Sequence, residues 1–404
     1  TDPGTGFTTD WFTGSCGGTA LEGGTGQNSV SVSPTATTTY YARTRNTTTG
    51  CVSACETVTV TVSTSGIWTG SADGSTWEMG GNWCGGSVPT GAVVIPAGAD
   101  VHVTASLTAP SSCSSLTVNG TLTINAGSAL TVSGTLTNNG TLNMLSSSGG
   151  QASLRVDTYT GNDANIQLYL SPGYWHYISS PTNPGLSSDD LAAGNDLARF
   201  DEALPSVDPP TWQRGWVAWD GWSYLTGDYT GGYSGFSALE RGRGYNYWNE
   251  SAYTFTFSGQ LNTSDPSPSI SFSGDPVWSG YNLLGNPYSC GIDLQYLLST
   301  LWQAAPIFKS VYYTINDVSY TVSQDGTSVP SGASLSIPPM QGFFVKATGG
   351  GNLSFSTSAR IHTSTPRYKG EQTSSIPLVR LSINENGKTD ETVIRFNEKA
   401  TAGL

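Results

Sequence analysis

Five aromatic residues crowd one short stretch of the chain: Trp212, Trp216, Trp219, Trp222 and Tyr224. Flat rings of this kind stack on the CH faces of sugars, each burying a large area while polar neighbours bond the hydroxyls. Trp219 and Trp222 flank Asp220-Gly221, a turn signal that would lift at least one ring out of a core. The competing use of the same rings is to fill a core short of aliphatic residues, and that use is preferred here. Acidic residues near turns, Asp163, Asp189, Asp190, Asp196, Asp201 and Glu202, offer hard oxygens to Ca2+. Asp189, Asp190 and Asp196 are the candidates carried forward. No D-x-D-x-D-G loop frames them, so solvated loop carboxylates are the ordinary reading, and no cofactor is expected.

Catalytic chemistry finds less support. Glu240, Glu250 and Asp220 supply carboxylates for glycoside hydrolysis, but nothing in their spacing sets two of them across a cleft. His176 lies between Trp175 and Tyr177 on an expected strand, which suits a packed core histidine better than a base. No G-x-S-x-G elbow anchors a nucleophilic serine. The glycines sit between strands rather than ahead of helices, so phosphate-binding loops are absent as well.

The elements that would position these groups are strands. Only 11% of the 404 residues are charged, and 50 are glycine. Such a composition favours short strands and tight turns. A net charge of −13 repels a phosphate backbone, which argues against nucleic acid as a partner. No apolar run approaches the roughly 18 residues of a membrane-spanning helix. No basic region followed by an apolar stretch opens the chain, which reads as a mature or cut piece of something longer. Cys51 and Cys55 form a C-x3-C, without a second pair or a histidine at zinc-site spacing. Disulfides and an oxidising, extracellular setting are therefore expected. The expected pairs are Cys84 with Cys113, and Cys16 with either Cys51 or Cys55, leaving Cys290 unpaired.

Residues 115–144 contain SLTV, GTLTI, SALTV, GTLTN, GTLNM. Apolar residues alternate with Thr, Ser or Asn, and Gly or Asn-Gly separates the units. Short self-similar units of this kind stack as the rungs of a β-solenoid. The expected inward residues are Val94, Val101, Val103, Leu116, Val118, Leu122, Ile124, Leu130, Val132, Leu136, Leu142 and Met144. Two helical stretches are expected, at residues 189–200 and 292–302.

Three segments carry resemblances. WFTGSCGGT (11–19), SPTATTTYYAR (33–43), Cys51/Cys55 and VTVTV (58–62) resemble the Ig-like modules repeated in large secreted proteins of Bacteroidota. Only the later strands of that sandwich fit within residues 1–64. WTGSADGSTWEMGGNWCGGSVP (68–89) resembles the opening of short β-helices in the same proteins. GYWHYISSP (173–181), RGYNYW (243–248), GYNLLGNPY (280–288), IPPMQGFFVKA (337–347) and ARIHTS (359–364) resemble, in order, a β-rich domain of proteins exported by type IX secretion.

Together these give an all-β chain. Its expected parts are a partial Ig-like module (1–64), a short β-helix (65–150), a larger β-sandwich domain with one or two short helices (151–365), and the start of a further β-module (366–404). The resemblance implies a secreted, cell-surface, non-enzymatic protein, adhesin-like or filament-forming, exported by the type IX machinery. Expected partners are copies of itself, other surface proteins or glycans. The alternative is a carbohydrate-binding portion of a secreted polysaccharide-degrading enzyme.

Overall fold

The computed structural model describes residues 3–60, 62, 66–183, 197–204, 215–220, 235–274, 279–315, 318–363, 378–385 and 388–395. Strands dominate throughout, as the Gly- and Thr-rich composition requires. The N-terminal module is one antiparallel sheet of four strands, ordered Thr19–Thr25, Phe7–Thr13, Thr38–Asn46, Glu56–Val60. That order corresponds to one of the two layers of an immunoglobulin sandwich. Cys16 is bonded to Cys55 across a Cα separation of 5.8 Å, tying the turn after the first strand to the start of the last. Cys51 remains an exposed thiol. One face carries Asp10, held by Arg45 at 2.9 Å, and Phe12 under the Arg43 guanidinium. By strand alternation, the other face carries Phe7, Trp11, Tyr40 and Val58. Phe7 and Val58 are about half exposed.

The β-solenoid follows and makes about three turns. Three parallel ladders run along it. The first joins Ala92–Ile95, Ser115–Val118 and the second halves of Ala129–Asn138 and Ser153–Gly161. The second joins Asp100–Val103, Thr121–Ile124, Thr141–Met144 and Ala164–Leu170. The third joins Ser111–Cys113 to the first halves of the two long strands. Side chains therefore stack in columns, such as Val101, Leu122, Leu142 and Ala164, all fully buried. Every expected inward residue is buried except Val94. The first strand sits one residue out of the expected register, so Val93 and Ile95 point inward; a slip of one position exchanges the two faces. The ladder also runs beyond the expected 65–150 span, since Ser153–Gly161 and Ala164–Leu170 form its last rung.

Asn-Gly turns recur because successive turns lie against one another. Asn139 and Gly140 both donate to the Val118 carbonyl, and Thr141 donates to that of Gly120. A Cβ at Gly140 would overlap the Gly120 carbonyl oxygen. Asn139 donates sideways to Asn119 at 3.0 Å, extending the ladder into side chains.

The expected Cys84–Cys113 disulfide is not present. Cys113 points into the solenoid, stacked on Val132 within the core, whereas Cys84 lies partly exposed beside Ile67. A disulfide needs the two sulfurs to approach within bonding distance, which these two positions do not provide. Burial raises the Cys113 thiol to about 12, so it stays protonated.

Beyond the solenoid, one sheet orders Trp216–Ala218, Leu197–Phe200, Tyr245–Asn249 and Tyr174–Ile178. The helix expected at residues 189–200 is corrected in part: Leu197–Phe200 is a strand held between two aromatic strands, and residues 189–196 lie outside the described ones. A second sheet orders Tyr281–Gly285, Gly342–Ala347, Ile307–Ile315, Val318–Ser323 and Ser328–Val329 over its own apolar core. A helical segment falls within the stretch expected at 292–302, after the strand Gly291–Asp293. The segment starts at Leu294–Tyr296 and ends as a wider turn, Leu297–Leu301. Asp293 caps it by accepting from the Gln295 and Tyr296 amides. Leu378–Glu385 and Lys388–Arg395 form a hairpin paired only with itself among the described residues.

Gly140→Ala is expected to destabilise the fold by about 1–3 kcal/mol through overpacking between turns. Gly91→Ala, where a Cβ meets nothing within 4 Å, should be nearly neutral. Urea unfolding midpoints of the two variants check the contrast.

Candidate functional site

The aromatic stretch does not form one platform among the described residues. Trp216 lies in a ring cluster, 5.1 Å from Phe200, 6.1 Å from Phe344 and 6.3 Å from Tyr177 between centroids. All four rings are partly buried, and none belongs to either apolar core. Gly215 precedes Trp216 at φ +87, and the Phe200 ring occupies the space a Cβ would need. Trp219 packs partly buried against the solenoid core, and its carbonyl accepts from the Phe236 amide at 2.8 Å. Trp212, Trp222 and Tyr224 lie outside the described residues, as do Asp189, Asp190 and Asp196.

The other acids are engaged locally. Asp163 accepts from Gln260, and Asp201 pairs with Arg199 at 3.2 Å. No three Asp, Glu, His or Cys side chains converge as metal ligands among the described residues. Asp220 and Glu250 are exposed. His176 is buried and its Nε2 meets the Ser171 carbonyl at 2.8 Å, the core position expected of it.

One cavity of about 230 Å³ opens where the two downstream sheets meet. Its wall combines Arg199, Glu202, Phe236, Glu240, Arg243 and Tyr245. Glu202 is 4% exposed, and its Oε1 accepts three bonds: from the Ser273 amide, the Ser273 hydroxyl and the Gly280 amide, at 2.7–2.8 Å. Its Oε2 is buried with no hydrogen-bond partner. Arg243 donates to Ser269 at 2.8 Å and lies 3.7 Å from Glu240. The Tyr245 hydroxyl accepts from the Glu240 amide, and burial pushes its pKa up to about 12, so it keeps a proton to donate. Phe236 packs on the Tyr245 ring at 5.3 Å. Sequence reasoning had not joined these residues. The one signal was local: Glu240-Arg241-Gly242-Arg243 is a dense charge run in a chain with few charges.

A second polar cluster closes the end of the solenoid. His362 Nδ1 meets the Ser153 hydroxyl at 2.7 Å, and its Nε2 meets that of Thr131 at 2.9 Å. Arg360 donates to the Val156 carbonyl and to Asp157. A serine beside a histidine suggests a nucleophile and its base, but Ser153 is 1% exposed and substrate cannot reach it. The pair is a clasp: it holds the last rung to the strand Arg360–Ile361.

The fold and these clusters define an all-β chain with an Ig-like layer, a solenoid and a two-sheet region that closes it. The chain belongs to the family described as Domain of unknown function (DUF8693), which matches residues 67–404. The Ig-like domain CHU_C associated matches residues 1–63. No curated protein and no solved structure matches the chain. No helix among the described residues is long and apolar enough to cross a membrane.

Burial, helped by Arg155, holds the His362 imidazole down at about 4, against 6.5 ordinarily. The folded state therefore favours the neutral ring. That contribution is complete above pH 6.5 and is lost as pH falls towards 4, up to about 3 kcal/mol in all. Urea unfolding should show wild type losing its advantage over His362→Gln across that window.

Proposed function

We propose that this protein is a secreted, non-enzymatic structural component of a cell surface, adhesin-like and filament-forming, with export by type IX secretion. The Ig-like match supports a secreted origin, and the solenoid suits a spacer. The observation that carries the assembly reading is a pair of incomplete β-units. The Ig-like sheet is a single layer among the described residues, with Phe7 and Val58 half exposed on one face. At the other end of the chain, the hairpin of Leu378–Glu385 and Lys388–Arg395 leaves both outer edges unpaired among the described residues. A lone two-stranded hairpin is marginally stable in water. Laying the hairpin of one copy against the sheet of the next would cover the apolar face and satisfy the edges together. Such a contact is head-to-tail, and it propagates as a filament.

Negative-stain microscopy and light scattering of the purified chain test this. Filaments or concentration-dependent oligomers are expected, and they should vanish on deleting residues 1–64 or residues 376–396. Monodisperse monomers at every concentration would overturn the reading.

A further inference from the structure

We propose that the outward face of the second downstream sheet, around Lys346, binds a carboxylated sugar residue of a glycan. Strand alternation builds this face. Phe343 and Val345 turn into the second apolar core, so Phe344 and Lys346 turn out. Val311 and Tyr313 enter the same core and leave Tyr312 outside. Leu284 enters it as well, which puts Tyr281, three positions back, on the outer side. The register then sets Tyr281 opposite Lys346 and Tyr312 opposite Phe344. The rings meet edge to face: Tyr281 lies 5.8 Å from Tyr312 and 6.3 Å from Phe344 between centroids. Phe308, about half exposed, completes the group. Lys346 Nζ sits 4.8 Å from the centroid of the Tyr281 ring and 5.8 Å from that of Phe308.

Charge decides the sign of the ligand. Lys309, on the same sheet, donates its ammonium to the Trp302 and Ala305 carbonyls. Lys346 meets only rings: no acid and no hydrogen-bond acceptor reaches it among the described residues, so its three N–H donors are uncommitted. The strands Tyr281–Gly285, Ile307–Ile315, Val318–Ser323 and Gly342–Ala347 contain no Asp or Glu. In a chain of net charge −13 this is a local positive face, and a carboxylate is its complement. The same net charge opposes a dense polyanion such as nucleic acid, so the ligand carries its charge singly. The rings decide the rest. They offer area to the CH faces of a sugar. Set at 65° and 83° to Tyr281, the Tyr312 and Phe344 rings make a stepped surface, which suits single sugar residues rather than the flat face of a crystalline polymer. Burial raises the Tyr312 pKa, so its hydroxyl keeps a proton to donate to the sugar. An acidic peptide fits less well: the strand carrying Lys346 is paired on both sides, so an extended peptide finds no edge beside it. Sugar binding here is independent of the assembly proposed above, since the face is built from neither the N-terminal sheet nor the C-terminal hairpin.

The test is saturation-transfer NMR and calorimetry of the full chain at pH 7 with methyl glucuronide, methyl galacturonide and N-acetylneuraminic acid, beside methyl glucoside and methyl galactoside. Saturable binding of at least one acidic sugar is expected, tighter than that of the neutral ones and weakened by salt. Lys346→Gln should weaken it about tenfold or more, the effect of losing one bond to a charged group, and should remove the salt dependence. Phe308→Ala, at a half-exposed position, should weaken it about threefold or more through the lost stacking while the thermal midpoint stays near wild type, and it serves if Lys346→Gln does not fold. No saturable binding by any acidic sugar would overturn the proposal. Neutral sugars bound as tightly as acidic ones, or binding that the folded variants leave unchanged, would overturn it equally. Poly-glutamate competing as well as the acidic sugars would assign the face to acidic peptide and overturn it too.

Discussion

A parallel β-stack buries each rung only against its neighbours, so its two ends must be closed by something else. The structure depends on how that is done. At the start, Trp68, Trp77 and Trp83 pack edge to face, at 4.8–4.9 Å between centroids, over the first rung. Their loop is wound on Asn82, which is fully buried: its Oδ1 accepts from the amides of Ala72, Asp73 and Gly74, and its Nδ2 donates to Asp73 and to the Thr76 carbonyl. Glu78 then bonds Thr104, Ala105 and Ser111 on the first turn. Without this cap the apolar column would face water.

The far end is closed by chain from well downstream. Tyr253–Leu261 runs antiparallel along Ala164–Leu170, ending the ladder with a strand of opposite direction. The neighbouring face has no such strand among the described residues; Ser289, Arg360 and His362 bond its edge one group at a time. These residues come from the second apolar core, so closing the solenoid and docking that core are one event. Asn286 fixes the junction. Its Nδ2 donates to the carbonyls of Cys290, Ile337 and Pro338, and its own carbonyl accepts from Ser179. Gln341 donates to the Tyr177 carbonyl from the facing strand. The GNPY and PPMQG segments are thus distinctive for structural reasons: an amide side chain at each place supplies bonds that no regular ladder provides.

The solenoid was legible from alternation, because each inward column repeats apolar residues and Asn-Gly returns at 119–120 and 139–140. The misplaced strand was the first, where VVI gives two adjacent apolar residues and alternation cannot choose between Val93 and Val94. The N-terminal disulfide was legible to one of two partners for Cys16, and the fold selects Cys55 over Cys51. Cys84 and Cys113 misled because sequence proximity carries no information on which side chains turn into a core, as Cys113 does. The cavity was illegible for a related reason. Glu202, Arg243 and Phe236 stand on separate segments, and only the meeting of two sheets brings them together.

That meeting also explains why the cavity is polar. Regular ladders satisfy their own backbone, so a chain made of them can be poor in charge. Where sheets of different direction join, segments such as residues 271–273 and the entry to the strand Tyr281–Gly285 present amides and carbonyls that need side-chain partners. Glu202 serves the Ser273 and Gly280 amides, and Asn282 serves Ser271 and Gly280. A carboxylate placed to hold two loops has a second oxygen, and the geometry that uses the first fully leaves the second without a partner. The junction that completes the fold is therefore also where unspent hydrogen-bonding capacity collects, beside aromatic rings that the same packing brings to its rim.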